Sequence, residues 1–217
     1  MPIIKIKPNF SELSKFKKLE FDVVIVTSQT AAKILFSDLE AVEKIKKTSI
    51  IVIGDKTGAI FKSASIEVLK PSKFDSETLY NEFKDFVKGK RVAILRSDKG
   101  SPVLLQFGNV AEVKEFKIYN ILEDEENAGK IPEILLKGNV GSVIFTSSFI
   151  VRTFMKSILT HPKKQKLLKK LQKMNVIAIG PPTKKSLEKY GIKARMPDNY
   201  TFEAAVFLLK SCNEKLE

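Results

Sequence analysis

The chain carries one cysteine, Cys212, and one histidine, His161, among 217 residues. A single thiol excludes an internal disulfide framework, and one His with one Cys leaves no His/Cys metal cluster. No apolar run approaches the ~20 residues that cross a bilayer. The opening segment MPIIKIKPNF lacks the apolar core and small-residue cleavage site of a secretory signal, so the cytoplasm is the expected compartment. Acidic residues are the scarcer sign, 25 against 38 basic, for a net charge of +13. Residues 1–118 hold 21 Lys+Arg and 15 Asp+Glu and residues 119–217 the other 17 and 10, so there is no basic tail. A surface charged in this way favours a polyanionic partner. What the chain has in quantity is apolar: 43% hydrophobic with 15 Phe, enough for one large or two small globular domains.

Within that length the sequence repeats itself. IIVIGDKTGAIF (50–61) matches VIAIGPPTKKSL (176–187), with Gly54 over Gly180 and Thr57 over Thr183 at an offset of 126. Downstream at the same offset Pro71 pairs with Pro197, Phe74 with Tyr200 and Glu77 with Glu203. Upstream, DVVIVTSQTAAKILF (22–36) matches GSVIFTSSFIVRTFM (141–155) at an offset of 119, with Thr27-Ser28 over Thr146-Ser147. The difference of seven residues falls on THPKKQKLLKKLQKMN, in a helical connection. Each copy reads strand, Thr-Ser corner, helix, helix, strand, Gly-x-x-Thr corner, helix, short strand, helix. Short apolar runs alternating with helical patterns predict parallel sheets covered by helices. The corners then fall at the carboxyl ends of strands, where such sheets bind ligands, and two lobes with paired corners imply a cleft. The first copy continues through RVAILRSDKG and VKEFKIY, a strand, a helix and a strand; the second has no such continuation, so its lobe is expected to lack one strand-helix unit.

The corners themselves suggest anion binding. Pro181-Pro182 can open a helix, because the first N–H groups of a helix have no partner to lose. Thr183 is expected in that first turn with its hydroxyl and N–H directed outward, where the helix dipole favours negative charge. The Thr-Ser pairs read as helix caps that can also donate to a ligand. Nucleophilic catalysis by Ser28, Ser147 or Ser148 would need a base, and His161, just before Pro162, reads as a surface turn residue. GDKTG resembles the phosphorylated loop of cation pumps and hints at a P-loop, but the membrane spans of the first and the Gly-Lys-Ser/Thr spacing of the second are both missing. HPKKQKLLKKLQK (161–173) reads as an amphipathic helix with a solvated lysine face and no interleaved aromatic platform for nucleic acid. Tyr119, at the end of the strand closing the first lobe, is the hydroxyl that faces the expected cleft.

The ordered set VIVTSQTAAKILF, IIVIGDKTGAIF, RVAILRSDKG with VKEFKIY, VIFTSSFIVRTF, VIAIGPPTKKSLEKYGI and MPDNYTFEAAVFLL resembles the uroporphyrinogen-III synthase family over most of residues 20–210. The resemblance implies two flavodoxin-like parallel-sheet lobes, 8–116 and 119–217, joined by a two-stranded linker that includes residues 1–7. It implies an enzyme without cofactor or metal, which closes the linear tetrapyrrole hydroxymethylbilane while inverting ring D through an azafulvene and a spiro intermediate. Tyr119 would assist departure of the terminal hydroxyl. Thr27, Ser28, Gly54, Thr57, Thr146, Ser147, Ser148, Gly180 and Thr183 would hold the substrate's carboxylates, and Arg96 would contact one of them. A monomer with no nucleic-acid or membrane partner is expected. Two other readings use the same residues differently: a noncatalytic two-lobe binder of small polyanions, which needs no Tyr119, and a nucleic-acid-binding protein relying on Lys163 to Lys173.

Overall fold

In chain order the elements are β1 (Ile4–Pro8), α1 (Phe10–Lys17), β2 (Val23–Val26), α2 (Gln29–Phe36), α3 (Leu39–Ile45), β3 (Ser49–Val52), α4 (Asp55–Lys62), α5 (Ser76–Phe83), β4 (Arg91–Ser97) and β5 (Glu112–Glu123). A 3-10 helix, Pro102–Asn109, lies between β4 and β5. There follow α6 (Glu125–Lys137), β6 (Ser142–Phe145), α7 (Ser148–Leu159), α8 (Lys164–Lys173), β7 (Asn175–Ala178), α9 (Pro181–Glu188) and α10 (Phe202–Asn213). This computed structural model describes residues 2–213; the side chain of Cys212 and residues 214–217 of the expected second lobe lie outside the described part. The chain divides into two compact units, one of Ile6–Ile121 and one of the residues up to Lys5 together with those from Leu122 on. No helix of the described residues is long and apolar enough to cross a membrane.

The first unit is built on a mainly parallel sheet of order β1-β5-β4-β2-β3. β2, Val-Val-Ile-Val, is buried at all four positions, as a central parallel strand covered on both faces must be. It runs parallel to β3 on one side and β4 on the other, with Val26 level with Val52 and Leu95. One face packs on Leu13, Phe16, Ala31, Leu35, Phe61 and Phe116, the other on Leu79, Val87, Leu104 and Phe107. Phe16, Phe21 and Phe116 form a ring cluster with centroids 5.5–5.6 Å apart. At the opposite end of the strands from the corners, Asp22 accepts both the backbone N–H and the guanidinium of Arg91. Those hydrogen bonds hold the Asp22 carboxyl down at about 2.

β5 departs from simple register. Arg96 of β4 faces Lys117, but the next residue, Ser97, faces Tyr119, so Ile118 is an extra residue on β5. Such a bulge re-aims the side chains that follow it. Here Phe116, Ile118 and Tyr119 all pack into the same core cluster, which strict alternation would forbid. β1 is the sheet's edge partner of β5: Asn9 N–H donates to Ile118 C=O, and Asp124 N–H donates to Ile3 C=O, an antiparallel relation.

The second unit has a two-stranded parallel sheet, β6-β7. Among the described residues nothing takes the place beside β6 that β4 takes beside β2, and three of the four β6 residues are only half-buried. The seven residues by which this copy is longer go mainly into helix: α7 and α8 have 12 and 10 residues where α2 and α3 have 8 and 7. Local bonds otherwise recur at the sequence offset. Leu69 N–H and Val52 N–H complete a bridge at Ile51 in the first unit, as Arg195 N–H and Ala178 N–H do at Ile177 in the second. The short strands expected after the Gly corners are these single bridges.

Candidate active site

Four corners follow the carboxyl ends of β2, β3, β6 and β7. At the first, Ser28 has extended backbone and its Oγ accepts the Ala31 N–H at 3.1 Å, capping α2. Ser147 does the same for α7, accepting the Ile150 N–H at 3.2 Å. Each cap contributes about 1 kcal/mol and places a hydroxyl at a helix start. Thr27 is half-buried and Thr146 exposed beside them. Ser148 Oγ donates to the Pro182 carbonyl at 2.9 Å, so it ties the Thr-Ser-Ser corner to the Gly-Pro-Pro-Thr corner within the second unit.

The Gly corners are alike in packing and different in backbone. A side chain at Gly54 would meet the Phe74 ring at 3.8 Å, and one at Gly180 would meet the Tyr200 ring at 3.5 Å. The Phe74/Tyr200 pairing of the sequence repeat thus has a physical counterpart, an aromatic ring laid against each glycine. Gly54 has φ +86 and ψ 153, a region essentially reserved for glycine, whereas Gly180 at φ −164 is ordinary extended chain. Pro181 and Pro182 open α9 as the sequence predicts.

Thr57 and Thr183 are not outward-facing. They are 3% and 4% exposed, and the Thr183 N–H returns to the Gly180 carbonyl at 3.1 Å. α9 begins with two prolines, which have no N–H, and its Thr183 N–H is taken by the Gly180 carbonyl, so of the two Gly corners the one that opens α4 at Asp55 is the richer in backbone donors. Arg96 also differs from expectation: it is 2% exposed, and its Nε donates to Glu115 Oε1 at 2.6 Å. A second guanidinium nitrogen donates to the Ser101 carbonyl. Gly100 lies so close above it that a Cβ there would come within 2.5 Å of Arg96 Cδ. The carboxylate that Arg96 meets here is that of Glu115, and the same guanidinium ties down the loop after β4.

Tyr119 and Ser28, 91 positions apart in sequence, are brought together. The Tyr119 hydroxyl lies 2.9 Å from Ser28 Oγ, within hydrogen-bonding distance, and the residue is 5% exposed. The β5 bulge makes this possible by turning Tyr119 onto the face where α2 begins. Two contacts from Asp98 fix the strand there: its N–H donates to the Tyr119 carbonyl at 3.1 Å, and its Oδ1 accepts the Ile121 N–H at 2.9 Å. Asp98 is the residue that sequence reasoning missed; its signal was the Ser-Asp-Lys-Gly turn directly after a strand. Chemically, a phenol joined to a serine at a helix start, beside polar corners, can give a proton to a bound anionic substrate.

The uroporphyrinogen-III synthase HemD family model matches residues 1–206. A protein of Archaeoglobus fulgidus, provisionally named uroporphyrinogen-III synthase, is 40% identical over 194 residues, 88% of this chain and 80% of its own length. One from Methanothermobacter thermautotrophicus with the same provisional name is 31% identical over 198 residues, 88% of this chain and 78% of its own. Among solved structures, a mutant uroporphyrinogen III synthase of Thermus thermophilus aligns with TM-score 0.67 at 18% identity, covering 99% of this chain and 87% of its own. The synthetase of Helicobacter pylori gives TM-score 0.67 at 18% identity, covering 98% and 92%. These structures share the mixed α/β fold with its mainly parallel sheet. On the family match and the Archaeoglobus relative, the chain belongs to the uroporphyrinogen-III synthase family.

Proposed function

We propose that this protein converts hydroxymethylbilane to uroporphyrinogen III with Tyr119 as the group that protonates the departing hydroxyl. The activity is that of the family; the assignment of roles is our reading. The observation that carries it is the Tyr119–Ser28 hydroxyl pair at the carboxyl end of the sheet. The substrate has acetate and propionate arms on every ring. We read the corners at Thr27-Ser28, Gly54 to Thr57, Thr146 to Ser148 and Gly180 to Thr183 as the places that meet those carboxylates, with the Thr27 and Thr146 hydroxyls and the helix starts after Ser28, Gly54 and Ser147 as donors; α9, which opens on Pro181-Pro182 and uses the Thr183 N–H internally, offers fewer. Each such contact is worth roughly 0.3–1 kcal/mol when exposed and up to about 2 when partly buried. Such contacts restrain a flexible linear molecule, which supplies part of what ring closure requires. Loss of the hydroxyl gives the azafulvene, attack through the substituted carbon of ring D gives the spiro intermediate, and fragmentation with reclosure gives the inverted ring.

The two units are read as duplicated flavodoxin-like lobes on a linker of β1 and β5, the second lacking a strand-helix unit. Support comes from the recurring bonds at Ile51 and Ile177 and from the first sheet's order, in which β2 to β5 stand second-first-third-fourth. The test of function is to supply freshly generated hydroxymethylbilane and resolve the oxidised porphyrin isomers. Predominant type III isomer is expected; type I alone, the product of uncatalysed closure, would refute the reading.

A further inference from the structure

We propose that Ser28 is a positioning residue that sets the direction in which Tyr119 holds its proton. The proposal rests on the reading of Tyr119 as proton donor and adds a second residue to that step. Ser28 Oγ stands between two groups, the Ala31 N–H at 3.1 Å and the Tyr119 hydroxyl at 2.9 Å. A serine hydroxyl has one proton and two lone pairs. The Ala31 N–H can only donate, so it takes one lone pair. Two arrangements of the remaining bond are then open. If the tyrosine donates to the serine, its proton is directed into the protein and is lost to the substrate. If the serine donates to the tyrosine, each group donates to the next, from Ala31 N–H to Ser28 Oγ–H to Tyr119 Oη, and the phenol proton is the one left without a protein acceptor.

The reaction selects the second arrangement. The carbon–oxygen bond of the terminal hydroxymethyl group breaks, the oxygen leaves with the bonding pair, and the tyrosine proton joins it as water. The adjoining pyrrole nitrogen supplies its electron pair to form the azafulvene, and its released N–H proton restores the phenol. Between those transfers the tyrosine oxygen is an anion that needs a donor. Ser28 O–H is already aimed at it, and charge-assisted bonds of this type are about twice as strong as neutral ones. The start of α2 lies on the same side and adds to the effect. Ser147 caps α7 in the same way, yet among the described residues its hydroxyl meets no tyrosine. Capping alone therefore does not account for the Tyr119 contact.

The test is a mutant cycle on the full chain with hydroxymethylbilane as substrate. Ser28→Ala and Ser28→Gly, the second of which nearly preserves the cap, should each lower kcat by about 10- to 100-fold with KM changed less than about threefold, and Ser28→Thr should restore kcat. In a Tyr119→Phe background the same Ser28 substitutions should cause no further loss, because the group they act through is gone. A readout independent of turnover is the fluorine NMR resonance of 3-fluorotyrosine at position 119, identified by its absence in Tyr119→Phe. It should move in Ser28→Ala and return in Ser28→Thr. An equal loss of kcat in both backgrounds, or an unmoved resonance, would overturn the proposal while leaving the synthase reading intact. A wild-type chain yielding type I isomer alone would overturn both.

Discussion

β2 and β6 begin from nearly the same sequence, Val-Val-Ile-Val and Ser-Val-Ile-Phe, and end in different circumstances. β2 is buried at every position between two parallel neighbours, whereas β6 has β7 on one side and is half-buried at three positions of four. The faces they support differ accordingly. Leu79, Val87, Val92, Ile94, Leu104 and Phe107 close one side of the first sheet, while the corresponding face of the second buries Ile177 and Ala205 and leaves Phe207 of α10 72% exposed. A strand's hydrophobic run thus determines that it will enter a sheet, and its neighbours determine how far it is buried. The chemistry follows the same division. The more completely packed unit holds the Tyr119–Ser28 pair, which a hydrogen bond of 2.9 Å requires to be held in register.

The largest effect that would sharpen this contrast is on α5. Leu79 occupies the repeat position of Ala205, and both are fully buried. Leu79→Ala should destabilise the unit of Ile6–Ile121 by about 2–5 kcal/mol in denaturant melts, because it removes a core side chain from a tightly packed face. Phe207→Ser on the open face should change stability by less than about 0.5 kcal/mol. Equal effects would mean that the two faces are packed alike. Next in size is the glycine pair. Gly54→Ala should cost about 1–3 kcal/mol, since alanine is strained at its positive φ. Gly180→Ala, on ordinary extended backbone with its nearest neighbour at 3.5 Å, should cost less than about 1 kcal/mol by the same melts.

Ser148→Ala, which removes the bond to the Pro182 carbonyl, should lower stability by roughly 0.5–1.5 kcal/mol, with faster hydrogen exchange confined to the α7 and α9 starts. The smallest effect concerns acid. Because its carboxyl is held at about 2 against an ordinary 3.8, Asp22 stabilises the first unit fully above pH 4, and that contribution fades as pH falls toward 2. Its side chain is 43% exposed and the pair is screened by solvent, so the shift is discounted to a small slope. Asp22→Asn should flatten that slope in acid melts; an unchanged profile would show that the Arg91 contact is not populated.

Much of this was legible in the sequence because it is local. The Gly-Pro-Pro start of α9, the Ser28 and Ser147 caps and the four-residue apolar strands each follow from residues within a few positions of one another. Pairing Phe74 with Tyr200 needed only the repeat, and both rings do lie against the corner glycines. What the sequence does not show is of longer range. Thr183 is expected to face outward, but it is only 4% exposed and its repeat partner Thr57 only 3%, because the first helical turn lays both against the corner. For Arg96, nothing local in the sequence indicates that Glu115, on the neighbouring strand, pairs with its guanidinium. Tyr119 is singled out by its place at the strand end and by the family resemblance; the bulge at Ile118 that aims it at Ser28 depends on the register of β5 against β4, which no local pattern encodes.

The central claim is that Tyr119 takes part in the chemistry and not merely in packing, and the most direct measurement is single-turnover formation of uroporphyrinogen III by Tyr119→Phe. Its ring remains to fill the core, so the fold and the affinity for hydroxymethylbilane should be retained within about threefold. The rate of conversion should fall by roughly 10²-fold or more, the share expected of a positioned proton donor. A variant that binds and converts the substrate at the wild-type rate would contradict the account.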